Sequence, residues 1–590
     1  MKHMSIRLKD AVAVALCALV LALTTTAADA QRLPRLGAQT GASQARTPGK
    51  GPGRTRMSAQ LERRRARAEG GFVDVVVAFE SSVDEQAAGK VGGVKKRGYR
   101  KLPYQAMRIP VAALERLRNN PKVRFIAEDG LVAGASQAAR QTINSPDIGR
   151  PNVNSQYDGQ GVRVAVLDTG VHPHGDFYNT LLGQFDFVNG ANGRQTSLSD
   201  QYGHGTHIAG MIASDGWYSK SQKFQGVSSY ASVVSLRVLN DIGQGRVSDV
   251  IAALDWVLDV GRPQYNIRVI NLSLGKAIEE AQEDDPLVQA VNRVWDAGVV
   301  VVAAAGNYGT FGHGTITSPG NSRKVITVGS ITDNGTGNNF SDDYVSTFSS
   351  RGPTAYDHVM KPDLLASGNK VVAPLAPGSL LSLLLPLNVV TGRSFTHKYL
   401  TLSGTSMATA EVTATVARML DKEPSLTPAT IKARLMKTAR KVSGDAMSTG
   451  AGVLNVDGAM NATGLVNGPD ALSPLVRLSE DGRRVYIEDT AALWNSPEWS
   501  ASYLWSDGYL WSDAYLWSDG YLWSDAYLWS DGYLWSDSYL WSDSYLWSDS
   551  YLWSDAYLWS DSVGAVSADS QDPGEIDIPV VPATEFVEGR

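Results

Sequence analysis

A chain of 590 residues is too long for one hydrophobic core, and 43% apolar residues with a net charge of −6 suit soluble domains carrying extensions. The total hides an asymmetry, because residues 31–70 hold ten Arg and Lys against two acids whereas residues 503–590 hold sixteen acids against one Arg. The single cysteine, Cys17, sits in the N-terminal leader, which excludes a disulfide framework, thiol chemistry and a thiolate metal site from the rest of the chain.

Residues 1–30 read as an export signal. Lys2, Arg7 and Lys9 precede the apolar run Ala11 to Leu23, and Ala28-Asp29-Ala30 is a small-x-small cleavage site. The run is too short to span a membrane and no later stretch reaches the roughly 18 apolar residues required, so a secreted protein without a transmembrane segment is expected. Residues 31–70 read as a basic flexible linker. Its Arg63-Arg64-Arg65-Ala66-Arg67 cluster lacks interleaved aromatic residues to stack on bases, which argues against nucleic acid as a partner.

From Phe72 the pattern changes to a small α+β unit over 71–132. It has strands at Phe72 to Phe79, Met107 to Ile109 and Val123 to Ile126, and a helix at Val111 to Leu117 stopped by Asn120-Pro121.

A larger α/β unit, 133–464, follows. Gly161 to Leu167 is a buried-strand run ending at Asp168-Thr169-Gly170, which puts a carboxylate at the carboxyl end of a strand, where open α/β sheets keep their ligands. An aspartic-protease reading needs a second such acid sharing a proton, and no second Asp-Thr/Ser-Gly occurs. His204 opens a helix of small apolar residues between Gly203 and Gly205 and is the best-placed base. His207 three residues on suggests metal, but the His-Glu-x-x-His spacing is absent, so none is assigned. Val269 to Gly275 ends in a backbone edge, Ser273-Leu274-Gly275, suited to pairing with an extended peptide. The strand Val299 to Ala304 leads through Ala305 and Gly306 to Asn307, whose amide can donate to an oxyanion. Finally, Ser403-Gly404-Thr405 places Ser406 at the start of an apolar helix, where backbone N–H groups and the dipole favour developing negative charge. The competing reading of Ser406 is an ordinary helix cap.

Together these residues resemble the catalytic domain of subtilisin-like serine proteases, through Val-Ala-Val-Leu-Asp168-Thr-Gly, Gly-His204-Gly-Thr-His-Ile-Ala-Gly, Ala-Ala-Gly-Asn307 and Gly-Thr-Ser406-Met-Ala-Thr in the order Asp, His, Ser. The resemblance implies a mostly parallel sheet flanked by helices and an endopeptidase in which Asp168 orients His204, His204 deprotonates Ser406, and Asn307 holds the oxyanion. It implies further that Ser273, Leu274, Gly275, Ala305 and Gly306 bind protein or peptide substrates, and that 71–132 is an inhibitor-like propeptide acting on its own enzyme. No cofactor is needed for the chemistry. Structural calcium is frequent in such proteins but has no acidic loop to support it here. Two departures stand out. Ala410-Glu411 replace the family's usual Pro and bulky residue, and the apolar stretch 373–400 looks like an insertion that either walls the cleft or packs as a flap. The segment Tyr308 to Pro319 shapes the specificity pocket in the family, with Thr317 near its floor, which points to uncharged side chains there.

Residues 465–502 read as a linker with a hairpin around Glu480 to Arg483. Tyr-Leu-Trp-Ser-Asp then recurs ten times over 503–562, supplying ten of fifteen tryptophans, before an acidic tail at 563–590. A six-residue period keeps Tyr, Trp and Asp on one face of a strand but rotates about 240° per repeat on a helix, so extended structure is favoured. The repeats resemble short Trp-containing arrays at the ends of some bacterial secreted subtilisin-like proteases. Contact with a cell surface or glycan through aromatic faces competes with a solvated spacer. The rival to the protease is an inactive subtilisin-like scaffold that binds surfaces through these repeats.

Overall fold

The computed structural model describes residues 56–134 and 156–478, apart from 178, 220–221, 334–340, 394–395 and 443, together with 485–487. The leader, the repeats and the acidic tail lie outside the described residues.

The N-terminal unit is a five-stranded sheet. Phe72–Phe79 lies between Tyr104–Pro110 and Val123–Glu128, antiparallel to both; Val94–Gly98 and the short Arg56–Met57 form the edges. Strand alternation explains why Phe72–Phe79 reads as almost continuously apolar. Val73, Val75, Val77 and Phe79 enter a local core with Leu61, Leu114 and Leu117, while Val76 and Ala78 join the core of the larger unit. Part of the expected basic linker is structured, because Ala59–Ala66 is a helix anchored by buried Leu61. Its arginines are paired, Arg64 with Glu128 at 3.0 Å and Arg65 with Glu62 at 2.9 Å.

The larger unit is built on a nine-stranded sheet in the order Tyr344–Val345, Ile326–Thr332, Val300–Ala304, Ile267–Leu272, Arg163–Asp168, Ser232–Arg237, Leu181–Asp186 and Arg194–Thr196, with Leu364–Ser367 paired to Ile326–Thr332. All pairs are parallel except those made by Tyr344–Val345 and Arg194–Thr196. The expected α/β fold is therefore present, with two antiparallel edge strands. Helix Thr405–Lys422 packs against the sheet and against helix His204–Ala213. It is buried almost all round, which its Ala, Val, Met and Thr composition permits. Helices Val247–Trp256 and Pro286–Asp296 pack together, and the N-terminal sheet rests on the latter.

Residues 373–400 form a hairpin region in which Val371–Pro374 and Val389–Thr391 flank Lys398–Leu402 in an antiparallel sheet, with a helix at Leu380–Leu384. Leu380 N and Leu381 N donate to the carbonyls of Gln201 and Tyr202 at 2.8 and 3.0 Å, so this region rests on the turn that delivers His204. The packed body also continues beyond residue 464. Ser473 N donates to Arg323 O, Pro474 O accepts from Met360 N, and Val476 N donates to His358 O, at 2.8, 2.9 and 2.8 Å.

Candidate active site

Asp168 is the last residue of its strand and His204 the first of its helix. Both are buried, with His204 Nδ1 2.7 Å from Asp168 Oδ1 and 2.9 Å from Oδ2. A carboxylate there assigns the proton to Nδ1 and leaves Nε2 as the basic nitrogen. Burial works against a charged ring, but the adjacent Asp168 charge and hydrogen bond prevail and hold the imidazole above its ordinary value of 6.5. The glycines around His204 are needed for approach. Gly203 has φ +103°, and a Cβ on Gly205 would collide with the carbonyl of Gly170 and stand 3.2 Å from Asp168 Cβ.

Asp200 completes the support and was not singled out from the sequence. Its Oδ1 accepts from Thr169 Oγ1 at 2.8 Å and Gly203 N at 2.7 Å, and its Oδ2 accepts from Thr206 N at 2.8 Å and Thr206 Oγ1 at 2.7 Å. It thus ties the Asp168 turn to the first turn of the His204 helix. The available signal was slight, an acid three residues ahead of the glycine that occupies the helix cap.

Ser406 is the second residue of helix Thr405–Lys422, whose cap position is Gly404, so its hydroxyl does not serve as the cap. Ser406 Oγ donates to Ser273 O at 3.2 Å, and Ser273 Oγ returns a bond to Ser406 O at 3.1 Å. Nε2 of His204 has no hydrogen-bond partner among the described residues. The hydroxyl is therefore turned to Ser273 in this state, and such bonds commonly align only with substrate in place.

Asn307 is fixed by Thr405, whose N and Oγ1 each stand 3.0 Å from Asn307 Oδ1; this leaves the Nδ2 end as the donor. Thr405 Oγ1 also accepts from Gly306 N at 3.2 Å. Thr405 is a second residue that the sequence reading passed over. Ala305 and Gly306 lie beside Thr317, which donates N–H to Ala305 O at 2.9 Å.

Strand Leu131–Gly134 of the N-terminal unit runs antiparallel between Gln244–Arg246 and Leu274–Gly275. Gly275 faces Ala133, Leu274 faces Gly134, and a Cβ on Gly134 would stand 3.5 Å from the His204 ring. The expected peptide-binding edge thus carries a strand of the same chain that reaches the histidine.

Two further residues singled out in the sequence, His207 and Glu411, are also placed. His207 is buried, its Nε2 3.1 Å from Val371 O and 3.0 Å from Leu400 O, and desolvation pushes its pKa down to about 3. It ties the helix to the hairpin. Among the described residues no three His, Cys, Asp or Glu side chains gather around a metal position. Glu411 turns to the sheet, accepting from Ser367 N at 2.8 Å.

Comparison with known proteins identifies the family. A family model described as the subtilase family, Peptidase_S8, matches residues 159–458. Serine protease AprX of Bacillus subtilis (strain 168) is 35% identical over 400 residues, 65% of this chain and 87% of that protein. Subtilisin E of the same strain is 28% identical over 392 residues, 66% of this chain and 89% of that protein. The crystal structure of fervidolysin from Fervidobacterium pennivorans, a keratinolytic enzyme related to subtilisin, has the same fold at a TM-score of 0.55, with 19% identity over 70% of this chain and 63% of that one. By the extent of the family match and the near full-length relationship to AprX, the chain belongs to the subtilase family and is a serine endopeptidase.

Proposed function

We propose that the protein is an exported endopeptidase made as a self-processed zymogen, with Asp168, His204, Ser406 and Asn307 as its catalytic residues. Asp168 holds the imidazole with Nε2 basic. Nε2 takes the proton of Ser406 as Oγ attacks the peptide carbonyl, and it returns that proton to the leaving amine as the acyl-enzyme forms. The N–H of Ser406 and Asn307 Nδ2 stabilise the oxyanion. The observation that carries the reading is the buried His204–Asp168 contact at 2.7 Å, on a helix packed against the one that carries Ser406 near its N-terminus.

The zymogen reading is supported by how the N-terminal unit grips its neighbour. Asp255 accepts from the backbone N–H groups of Arg100, Lys101 and Leu102 at 2.7, 2.7 and 2.9 Å. Asp129 accepts from Ser248 N and Oγ at 2.9 and 2.8 Å, and buried Arg97 pairs with Asp249 at 3.0 Å. A unit held by buried polar bonds, with its last strand laid in the cleft, is an inhibitor of its own enzyme until the connecting chain is cut between about Leu131 and Pro151. Export rests on the leader. No described helix is long and apolar enough to cross a membrane.

The test is titration of the purified mature protein with a serine-directed organophosphorus reagent. One label per molecule, on Ser406, is expected; an unlabelled, folded and processed protein would refute the mechanism. The repeats are assigned retention on a cell surface or glycan, because their ten tryptophans supply apolar area that seeks a partner. Deleting residues 503–590 is expected to leave turnover of a short peptide within about a few-fold of normal, since the assigned residues all precede Gly464, and to reduce sedimentation with cells or insoluble glycan. Equal sedimentation of the two forms would reduce the repeats to a spacer.

A further inference from the structure

Taking His204 and Ser406 as the reacting pair proposed above, we infer that Asp200 is a positioning residue that acts through its charge, a second buried carboxylate that stabilises the imidazolium formed when His204 takes the serine proton. Hydrogen-bond direction fixes that charge. Thr169 Oγ1 already accepts from Gly205 N at 3.0 Å and Thr206 Oγ1 from His172 N at 2.9 Å, which leaves the two hydroxyl protons to point at Asp200, 2.8 and 2.7 Å away. Asp200 Oδ1 accepts further from Gly203 N at 2.7 Å and Tyr202 N at 3.2 Å, and Oδ2 from Thr206 N at 2.8 Å. A carboxyl that accepts on both oxygens in this way is ionised. Burial lifts its pKa above the ordinary 3.8, and the bonds it accepts pull the other way.

All of these donors are neutral, so the negative charge is spread over dipoles and not cancelled by a cation. It therefore reaches the ring. Against burial, which favours the neutral imidazole, the charge and hydrogen bond of Asp168 and then the charge of Asp200 hold His204 above its ordinary 6.5. The other ionisable groups in this region carry no charge near neutral pH. Burial pushes His207 down to about 3, holds His172 below 6.5 against the pull of Asp200, and with both carboxylates holds Tyr202 above 10. Glu411 on the packed helix is turned to Ser367 N, and the hairpin meets the His204 helix through the carbonyls of Val371 and Leu400.

The same bonds hold both members of the His204–Asp168 contact. Gly203 and Gly205 flank His204, and Thr169 N donates to Asp168 Oδ1 at 2.8 Å while its hydroxyl donates to Asp200. When the proton passes from Ser406 Oγ to Nε2, the ring becomes a cation with two carboxylates near it. Asp200 itself exchanges no proton.

The experiment compares Asp200→Asn, Asp200→Glu and Thr169→Val on a short peptide substrate, with active sites counted by the organophosphorus label so that rates refer to folded enzyme. Asp200→Asn is expected to lower kcat about 10- to 100-fold with little change in KM, and to move the acid limb of kcat/KM down by about 0.5–1 pH unit, because the imidazolium loses one of its two negative neighbours. Asp200→Glu and Thr169→Val keep the charge and disturb the bonds, so kcat should fall while the limb stays in place. Should Asp200→Asn fail to fold, Asp200→Ser, which removes the charge and leaves room for water, carries the same test. An acid limb unmoved by the neutral variant, moved as far by the two charge-keeping variants, or a loss confined to KM, would overturn the role of Asp200 and leave the triad standing. A folded, processed wild-type protein that neither labels at Ser406 nor cleaves would instead overturn the mechanism beneath it.

Discussion

Ser406→Ala is expected to lower peptide turnover by about 10⁶-fold, a magnitude carried over from a subtilisin rather than calculated from this structure. The chemistry needs an oxygen at that atom, and the nearby hydroxyls of Ser273 and Thr405 have other duties. Ser273 Oγ is engaged with Ser406 O and Thr405 Oγ1 with Asn307, so both are held in supporting bonds. Losing the hydroxyl removes one bond to Ser273 O, worth about 1 kcal/mol, so the variant should remain folded. It should therefore accumulate as a precursor lacking only its leader. His204→Ala should be comparable in rate. Casein cleaved at close to the wild-type rate by either variant would remove the triad, and a normal mature N-terminus on Ser406→Ala, made in a host without other proteases, would remove self-processing. The pH profile carries a sign as well. A base held above its ordinary 6.5 stays protonated to higher pH, so the acid limb of kcat/KM should lie above that value.

The four candidate residues stand out in the sequence because each lies where one periodicity ends or another begins. Asp168 closes a strand, Asn307 follows one, and His204 and Ser406 open helices. Such boundaries can be read from local composition. Asp200 and Thr405 were not, since their roles arise only when separate segments meet. Thr405 serves Asn307, 98 positions away in the chain, and nothing local to either announces it. The helix Ala59–Ala66 was hidden by its charge. Its arginines suggest a solvated linker, and the one anchoring side chain, Leu61, makes no periodic pattern. The packed stretch at 471–476 escaped for a similar reason, because it is held by backbone bonds and isolated side chains, among them the Ser473 hydroxyl.

That hydroxyl belongs to the group behind the second large effect. Asp363→Ala is expected to be among the most destabilising substitutions outside the cleft. Asp363, Lys361 and Lys432 are all fully buried. Asp363 Oδ2 accepts from Lys361 Nζ at 2.7 Å and Thr327 N at 2.8 Å, while Oδ1 accepts from Ser473 Oγ at 2.6 Å and stands 3.3 Å from Lys432 Nζ. One carboxylate thus joins the strand Ile326–Thr332, the helix Pro428–Thr438 and the segment around Ser473. Removing it strands two buried ammonium groups, and breaking a buried pair in this way costs about 3–5 kcal/mol. The lysines can relieve the cost by losing protons. Burial already pushes Lys432 down to about 7, against an ordinary 10.5, so the unfolded chain binds more protons than the native one between those values and stability rises with pH across that window. Without Asp363 the lysine values fall further, and the penalty should shrink from pH 6 to pH 9. Thermal unfolding on the Ser406→Ala background, which prevents self-digestion, reads both effects. A drop in apparent Tm of about 10 °C at pH 6 is expected, with a smaller drop at pH 9. Asp363→Asn, which keeps acceptor and donor atoms but no charge, should fall between. An unchanged Tm, or equal losses at the two pH values, would show that the two lysines do not depend on this carboxylate for their place in the core.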